Sequence, residues 1–288
     1  SIRERVIEQL GLSHVANVVS DLEADDVIEI VEELDSAERE EVLDALSDDD
    51  RTMVEEGLSY PEDSAGRLMQ RSVVVMASHW SVGQAIDFLR EAEDLPRDFY
   101  DIFLVDSNQR PIGAIPLSRI LATRRHVALS ALMIADLKLI PVDMDQEEVA
   151  FLFSQRDLIS APVVDDTSSL VGVITVDDIV DVIHEEHEED IMRLGGVGEE
   201  DDLFAAVLDT TRSRFVWLLV HLIAAILAAA VINQFSGSIE QMVALAVLMP
   251  IVATMGGTAS VQTLTVAVRA IAMRELTPVN ALRTIGKE

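Results

Sequence analysis

Two long apolar stretches in the last third of the chain constrain its fold more than any other feature. Residues 215–232 form an 18-residue run whose only polar member is His221, and a second apolar stretch covers residues 242–268. A run of this length can cross the hydrocarbon core of a bilayer as a helix. We therefore predict two membrane spans, over residues 215–235 and 241–268, with a short turn at 233–240.

The basic residues around these stretches predict their orientation. Arg212 and Arg214 precede the first span, Arg269 and Arg274 follow the second, and the turn between them carries one acid and no base. Cytoplasmic flanks are enriched in arginine and lysine. This pattern predicts a multi-pass protein of the inner or plasma membrane, in contact with the lipid bilayer, with its N-terminal domains in the cytoplasm.

The second span contains residues that disfavour a regular helix. A proline and a glycine pair predict a break or kink, and freed backbone groups at membrane depth are tolerated where they line a watery path. A kink that only serves close packing of small residues is the alternative. The candidate pore-lining residues are Pro250, Gly256, Gly257, Thr258 and Gln262.

Charge divides the chain at the start of the apolar part. Residues 211–288 hold three acids and six bases, whereas residues 1–210 hold 49 acids and 15 bases. A chain with net charge −31 is a poor partner for nucleic acid, because phosphate contacts need lysine and arginine. The absence of cysteine excludes disulfides, thiolate metal sites and cysteine nucleophiles. We find neither a phosphate-binding loop motif nor a nucleophile elbow and predict no enzyme.

The first 62 residues repeat every twelve. Leucine occurs at positions 10, 22, 34, 46 and 58, and a β-branched residue precedes each leucine by four. This spacing forms one apolar stripe on a helix. Because one short helix cannot bury its stripe alone, residues 1–62 are predicted to stack into an acidic helical superhelix.

Residues 63–177 contain two copies of one βα unit, 63–127 and 128–177. Each copy shows the order strand, helix, strand, turn, strand, helix, and Gly113 aligns with Gly172. Tandem units of this order resemble a pair of cystathionine-β-synthase-type (CBS) domains. In such domains the threonine and aspartate that match Thr175 and Asp178 can hold a nucleotide such as ATP, whereas the first copy has Pro116 and Arg119 at these places. The alternative is that Thr175 only caps the following helix.

An acidic helix over residues 178–196 follows the second copy, and a linker, 197–214, leads to the membrane part, 215–288. The carboxylates of the acidic helix share one face and repel each other, and a hard cation such as Mg²⁺ would relieve the repulsion. His184 and His187 lie one turn apart in this helix and suggest a Zn²⁺ site only weakly, since no third soft ligand accompanies them.

The domain order resembles the MgtE family of magnesium channels and transporters. The stretches that carry the resemblance are 60–69, 143–150, 172–178, 193–196 and 250–264 together with Arg269. The resemblance implies a multidomain fold: an all-α superhelical N domain, an α/β tandem CBS pair, a connecting plug helix and an α-helical transmembrane part. It departs at Thr258, where the family commonly has asparagine.

The resemblance also implies a function and its residues. Members form homodimers, and cytosolic Mg²⁺ bound among the acidic domains holds the plug helix against the pore and closes it. The implied metal ligands are Asp145, Glu147, Asp157, Asp178, Asp181, Glu186, Glu189 and Asp190. Because the family's membrane domain has five helices per subunit, we expect the natural chain to continue beyond Glu288 with three more spans.

Two other functions fit the sequence. One is a membrane regulator that responds to adenine nucleotides through its CBS pair and conducts no ion itself. The other is a two-span anchor for an acidic interaction domain. Compaction of residues 1–195 by Mg²⁺ would favour the ion sensor over both.

Overall fold

The computed structural model of the protein describes residues 22, 24–32, 34, 36–92, 95–96, 99–197, 207–272 and 286. The chain forms two compact units, Ser1–Glu186 and His187–Glu288. The first unit contains the helical domain, the two βα copies and the first half of the acidic helix. The second unit contains the rest of that helix and the apolar part.

Three short helices of the N-terminal domain confirm the twelve-residue period. They are α1 (Ala24–Glu32), α2 (Ser36–Ala45) and α3 (Asp48–Leu58), so that successive helices begin twelve residues apart. Their core holds Val27, Val31, Val42 and Val54, each at most 2% exposed. Of the two earlier leucines of the repeat, Leu22 is described and is 37% exposed, whereas Leu10 lies outside the described residues.

The apolar stripe predicted that the repeated leucines lie on the helices, but two of them do not. Leu34 follows the end of α1 and Leu46 follows the end of α2, and the amide of each donates to a carbonyl three residues back. Leu58, in contrast, is itself the last residue of its helix. The repeat thus marks a helix together with its C-terminal turn.

The two βα copies have the same three-stranded topology. The first copy contains β1 (Val75–Ala77), α5 (Val82–Glu91), β2 (Asp101–Val105), β3 (Pro111–Pro116) and α6 (Leu117–Ala122), and it is preceded by a four-residue helix, α4 (Ala65–Leu68). The second contains β4 (Ile140–Pro141), α7 (Gln146–Arg156), β5 (Ser160–Val164) and β6 (Leu170–Thr175). In each copy the first two strands are parallel and the last two antiparallel. The sequence pattern predicts this first strand over Val73–Val75, whereas it begins at Val75.

Each copy is completed by the segment that precedes the other copy. Ala65 donates to the carbonyl of Met144 (2.7 Å), and Leu129, 64 residues later, donates in the same way to Trp80 (2.8 Å). Gln70 pairs with Val173, and Ile134 pairs with Ala114 at the equivalent positions. The segment at residues 64–70 is therefore part of the second copy, although it precedes the first.

The paired glycines Gly113 and Gly172 make this exchange possible. A Cβ on Gly172 would lie 2.6 Å from Met69 Sδ and 2.8 Å from the carbonyl oxygen of Gln70. A Cβ on Gly113 would lie 2.9 Å from Met133 Sδ. Each glycine leaves room for a methionine of the exchanged segment, which explains why the two glycines align.

The acidic helix, α8, runs over Val176–Gly195 and begins two residues earlier than the predicted boundary at 178. Ile179 and Val182 are at most 2% exposed and join the core of the second βα copy, whereas Ile191 is 67% exposed. The helix ends as predicted at the glycine pair, where Gly196 has a positive φ of 67°.

The second unit contains two helices that are long and apolar enough to cross a membrane, over Thr210–Gln234 and Val243–Ile271. They belong to α9 (Val207–Gln234) and α11 (Val243–Ala272). The predicted turn at 233–240 is wrong in part, since α10 (Ser236–Gln241) forms a short helix there.

The structure shows no break in the second span, whereas the alternative, a kink, stays a prediction. Helix α11 is continuous for 30 residues with Pro250 inside it. A proline removes one backbone donor, and hydroxyl groups on the same helix add local hydrogen bonds. Thr254 donates to the carbonyl of Pro250 (2.7 Å), and Thr258 donates to that of Thr254 (3.0 Å).

Candidate functional site

An acidic cavity of about 420 Å³ lies within the first unit. Helix α1, the segment before α4, the start of α7 and helix α8 all contribute to its wall. Seven carboxylates and one guanidinium line it: Asp26, Glu32, Glu62, Asp63, Asp178, Asp181, Glu185 and Arg67. Elements far apart in the sequence thus place like charges around one space.

Arg67 is the cation of this cavity. It lies on α4, whose first residues are hydrogen-bonded to the second βα copy, and its Nη1 lies 3.0 Å from Glu32 Oε1 of helix α1. The Arg67 side chain is only 14% exposed. Burial raises the pKa of Glu32, and the charge of Arg67 opposes this rise. The pair therefore joins the N-terminal domain to the second βα copy.

Asp178 lies in the first turn of α8 and is held by Thr175. The Thr175 amide and hydroxyl donate to Asp178 Oδ2 at 3.1 and 2.8 Å, and the hydroxyl also contacts Asp177. Burial raises the pKa of Asp178 to about 6, although the Thr175 hydrogen bonds oppose the rise. A carboxylate that is costly to keep charged gains most from a nearby cation.

A second group of predicted ligands meets at the start of α7. Asp145 caps this helix by accepting from the amide of Glu147 (3.0 Å), and the side-chain amide of Gln146 donates to Glu186 Oε1 (3.1 Å). Burial raises the pKa of Glu186, and the charges of Glu147, Asp145 and Asp63 raise it further. The predicted ligands Asp145, Glu147 and Glu186 are therefore electrostatic neighbours.

Of the four remaining predicted ligands, one lies in the acidic cavity and three lie outside both groups. Asp157 ends α7 in the left-handed conformation (φ 52°), at the opposite end of the helix from Asp145. Asp181 lines the acidic cavity with Asp178. Glu189 and Asp190 follow in the second unit, where Glu189 forms an ion pair with Arg193. The predicted ligands within the first unit thus do not form one compact set.

The donor chemistry of the cavity fits a hard cation, but its geometry is not a closed cage. Among the residues that the structure describes, no group of three or more histidine, cysteine, aspartate or glutamate side chains is close enough to hold a metal ion directly. Mg²⁺ prefers carboxylate oxygens and retains several waters, so carboxylates can bridge it from a distance through those waters. His184 and His187 are exposed on α8 and add no such group.

Two related clefts lie between the βα copies, and they differ greatly in size. The cleft beside Pro116 and Leu117 has a volume of about 550 Å³. The equivalent cleft beside Thr175 has only about 10 Å³. Of the two predicted nucleotide residues, Thr175 lines the smaller cleft and its hydroxyl donates to Asp177 and Asp178, whereas Asp178 lines the acidic cavity.

The candidate pore-lining residues share one helix. Pro250, Gly256, Gly257, Thr258 and Gln262 are all exposed on α11, and no atom of the described residues outside the helix backbone lies within 4 Å of a Cβ built on either glycine. His221 of α9 contacts the carbonyl of Trp217 through Nδ1 (3.1 Å) and packs edge-on against its indole.

Most of the charged residues of the acidic cavity were not predicted from the sequence. The unpredicted residues include Asp26, Glu32, Glu62, Asp63 and Arg67, although the stretch 60–69 carried part of the family resemblance. A usable signal was present, because Arg67 is one of only 15 bases in the first 210 residues and follows two acids closely. The contribution of α1 depends on tertiary packing and has no local signal.

Family models match two parts of the chain. Residues 1–63 match the MgtE intracellular N domain, and residues 129–185 match the CBS domain. Among curated proteins, the magnesium transporter MgtE of Thermus thermophilus is 32% identical over 225 residues, which are 77% of this chain and 50% of that protein. The magnesium transporter MgtE of Bacillus subtilis is 28% identical over 231 residues, 80% of this chain and 51% of that protein. The chain thus spans about half the length of these relatives.

Solved structures agree with these matches. The crystal structure of the cytosolic domain of the Mg²⁺ channel MgtE in complex with ATP is 30% identical, with a TM-score of 0.59 over 62% of this chain and 75% of that one. The soluble part of a magnesium transporter is 25% identical, with the same TM-score over 64% of this chain and 72% of that one.

The helical domain and the two βα copies define a multidomain protein with a CBS pair. The chain belongs to the MgtE family.

Proposed function

We propose that the protein transports Mg²⁺ across a membrane and that its acidic domains sense the ion. The observation that carries this proposal is the acidic cavity, where α1, the segment before α4 and α8 bring seven carboxylates together. The relatives named magnesium transporters support transport rather than catalysis.

The sensing step follows from charge. Without a divalent cation, the carboxylates around the cavity repel one another and favour separation of the elements that carry them. A bound cation favours the packed arrangement, and a ligand shifts such an equilibrium by its difference in affinity for the two states. We propose Asp178, Asp181, Asp145, Glu147 and Glu186 as the principal ligands, with Asp157, Glu189 and Asp190 as further ones.

Helix α8 connects this sensor to the pore in our proposal. The carboxylates of its first half line the cavity, and its second half precedes the apolar helices in the chain. We propose that Mg²⁺ holds α8 as a plug that closes a homodimeric pore. Pro250, Gly256, Gly257, Thr258 and Gln262 line that pore, and the N-terminal domains lie in the cytoplasm of a cell whose inner or plasma membrane holds the spans.

Measurements of Mg²⁺ uptake test the proposal. Cells or liposomes that contain the protein should take up Mg²⁺, and Asp178→Asn with Asp181→Asn should leave uptake active at internal Mg²⁺ concentrations that close the wild type. Asp106→Asn, a hairpin carboxylate outside the cavity, is the matched control and should close normally. Absence of uptake in the wild type would contradict transport and favour a regulator or anchor without conduction.

We also propose that the CBS pair binds an adenine nucleotide in the larger cleft. The volume of this cleft lies within the range of small-molecule sites, and the related MgtE cytosolic domain was solved with ATP. Calorimetry with ATP and AMP tests the site, since Leu121→Asp, at a residue that lines only the larger cleft, should weaken binding, whereas Thr175→Val, at a residue that lines only the smaller cleft, should not. The opposite result would move the nucleotide to the smaller cleft beside Thr175.

A further inference from the structure

We infer that the larger CBS cleft selects an adenine nucleoside with no phosphate chain, or a short one, over a nucleoside triphosphate. This inference rests on the proposed nucleotide site and names its ligand class. Three features of the cleft carry it: apolar walls, an excess of carboxylates, and the loss of the hydroxyl that the smaller cleft retains.

The walls suit a flat, uncharged ring. Phe99 and Tyr100 are aromatic residues of the lining, and aliphatic residues, among them Leu117 and Leu137, complete it, whereas the lining residue Phe103 is only 2% exposed. Tyr100 is 46% exposed, so its ring is available to a ligand. The amide of Leu117 donates to the Tyr100 carbonyl (2.9 Å), which fixes the backbone at this wall. Aromatic side chains bind nucleobases by stacking on either face.

The charge of the lining disfavours a polyphosphate. Three carboxylates, Asp101, Asp136 and Asp157, line the cleft, and Lys138 is the one cation among its described lining residues. Phosphate sites in proteins normally present arginine or lysine, often with a bidentate guanidinium. A ligand with about four negative charges therefore meets net repulsion here, whereas an uncharged nucleoside does not.

One of these carboxylates is held in place for a hydroxyl ligand. Asp101 Oδ2 accepts a hydrogen bond from the hydroxyl of Ser160 (2.6 Å), and the two residues begin the equivalent strands β2 and β5. An ionised carboxylate has further lone pairs with which to accept from a ligand. A fixed carboxylate in a cleft with aromatic walls suits the hydroxyl groups of a ribose, which donate hydrogen bonds, better than phosphate oxygens, which only accept them.

The smaller cleft shows what the larger one has lost. Thr175 ends β6 where Pro116 ends β3, so the hydroxyl and the backbone donor present in one cleft are absent at the other. Asp136 and Lys138 of the larger cleft take the places of Ser72 and Val74 in the smaller one. The larger cleft has thus gained one carboxylate and one ammonium group and has lost the hydroxyl and the backbone amide of the threonine at positions where the copies differ.

Calorimetry on the full chain in detergent, with EDTA and at low salt, tests the inference with adenosine, AMP and ATP as probes. Adenosine should bind with a dissociation constant about tenfold or more below that of ATP, since repulsion between like charges acts on ATP alone. EDTA is needed because Mg²⁺ would bridge the phosphates to the carboxylates. Raising the salt concentration should bring the dissociation constants of adenosine and ATP closer together, because salt screens the repulsion between ATP and the carboxylates.

Charge variants sharpen the test. Ser118 is exposed and lines the larger cleft, so Ser118→Arg should strengthen ATP binding about tenfold and leave adenosine binding nearly unchanged. Ser107→Arg adds the same charge on an exposed hairpin turn and serves as the control, with no preference expected.

The outcomes separate this inference from the proposals on which it rests. ATP binding in EDTA that equals or exceeds adenosine binding would overturn the inference and leave the nucleotide site standing. Failure of all three compounds to bind would overturn both, while the Mg²⁺ proposal would remain testable by uptake. Tighter adenosine binding that Ser118→Arg reverses supports the inference.

Discussion

Arg67 and Asp178 set the electrostatics of the acidic cavity at the scale of single residues. Arg67 supplies a fixed positive charge beside Glu32, and Asp178 is a carboxylate whose ionised form burial disfavours. The two residues lie on different elements that line one space. Each can be neutralised without a large change of shape, so each offers a direct test.

Neutralising Arg67 should loosen the N-terminal domain in the absence of metal. In Arg67→Gln, the half-buried Glu32 loses its cation, and we expect the contact of α1 with the CBS pair to weaken by about 1 kcal/mol, since the pair is partly exposed. Hydrogen exchange of α1 in EDTA measures this. Arg67→Lys should reduce the protection of α1 less. Arg125→Gln, which removes an exposed ion pair with Asp87 in the first copy, should leave the protection of α1 unchanged. Equal protection of α1 in Arg67→Gln and the wild type would count against the role of this pair.

Asp178 should make stability depend on pH in a defined direction. Its pKa is raised from 3.8 to about 6, so between about pH 4 and 6 the folded state binds more protons than the unfolded state. The free energy of unfolding therefore falls as pH rises through this window and stays lower above it. Asp178→Asn should be on the order of 1–2 kcal/mol more stable than the wild type near pH 7.5 and equal to it near pH 4. Urea unfolding in EDTA measures the difference, and an identical pH profile in the two proteins would refute the assignment.

At the scale of elements, the exchanged segments bind the two CBS copies together. Residues 64–70 complete the second copy, and residues 128–134 complete the first. Because α4 lies within the first of these segments and also carries Arg67, the same segment links the CBS core to the acidic cavity. A substitution that disturbs residues 64–70 should therefore affect both the CBS core and the acidic cavity.

Gly172 and Gly113 allow a graded test of this arrangement. In Gly172→Ala the new Cβ meets both Met69 Sδ and the fixed carbonyl of Gln70, so we expect a loss of about 1–3 kcal/mol in unfolding free energy. In Gly113→Ala the close atoms belong to the flexible side chain of Met133, so the loss should be smaller. Urea unfolding compares the two variants. In a Met69→Ala background, Gly172→Ala should cost less than in the wild type but still destabilise the protein, and no remaining cost would show that the Gln70 carbonyl is not limiting.

Local periodicity predicted most elements, but not the contacts between distant ones. The twelve-residue repeat located α1, α2 and α3 because each helix carries its own apolar stripe, and the alternation of strand and helix located both CBS copies. The continuity of α11 through Pro250 was missed because a proline costs one backbone hydrogen bond, which neighbouring turns of a long helix tolerate. The exchange of Gln70 and Ile134 was also missed, since pairing across a tandem repeat leaves no local pattern.

The candidate site was predictable only in part for the same reason. The carboxylates Asp178 and Asp181 follow from the helix spacing, and their shared cavity agrees with it. The separation of Asp157 from Asp145 follows from the length of α7, which the family motif does not reveal. Asp26 and Glu32 join the cavity only because α1 packs beside α4, and this packing is a property of the folded chain.

At the scale of the whole molecule, charge in the first unit is proposed to control the apolar helices through α8. The first unit gathers carboxylates at one cavity, and the second unit contains helices that can cross a membrane. Control by Mg²⁺ requires that the carboxylates bind a divalent cation specifically. General screening by salt would also reduce their repulsion, so the two effects have to be separated.

Hydrogen–deuterium exchange of the full chain during a Mg²⁺ titration tests this claim most directly. We predict that millimolar Mg²⁺ increases the protection of α1, of residues 60–68 and of the first half of α8, and that K⁺ at equal ionic strength does not. Asp178→Asn with Asp181→Asn should abolish the increase, whereas Asp106→Asn should preserve it. Unchanged exchange with Mg²⁺, or an equal change with K⁺, would contradict the account.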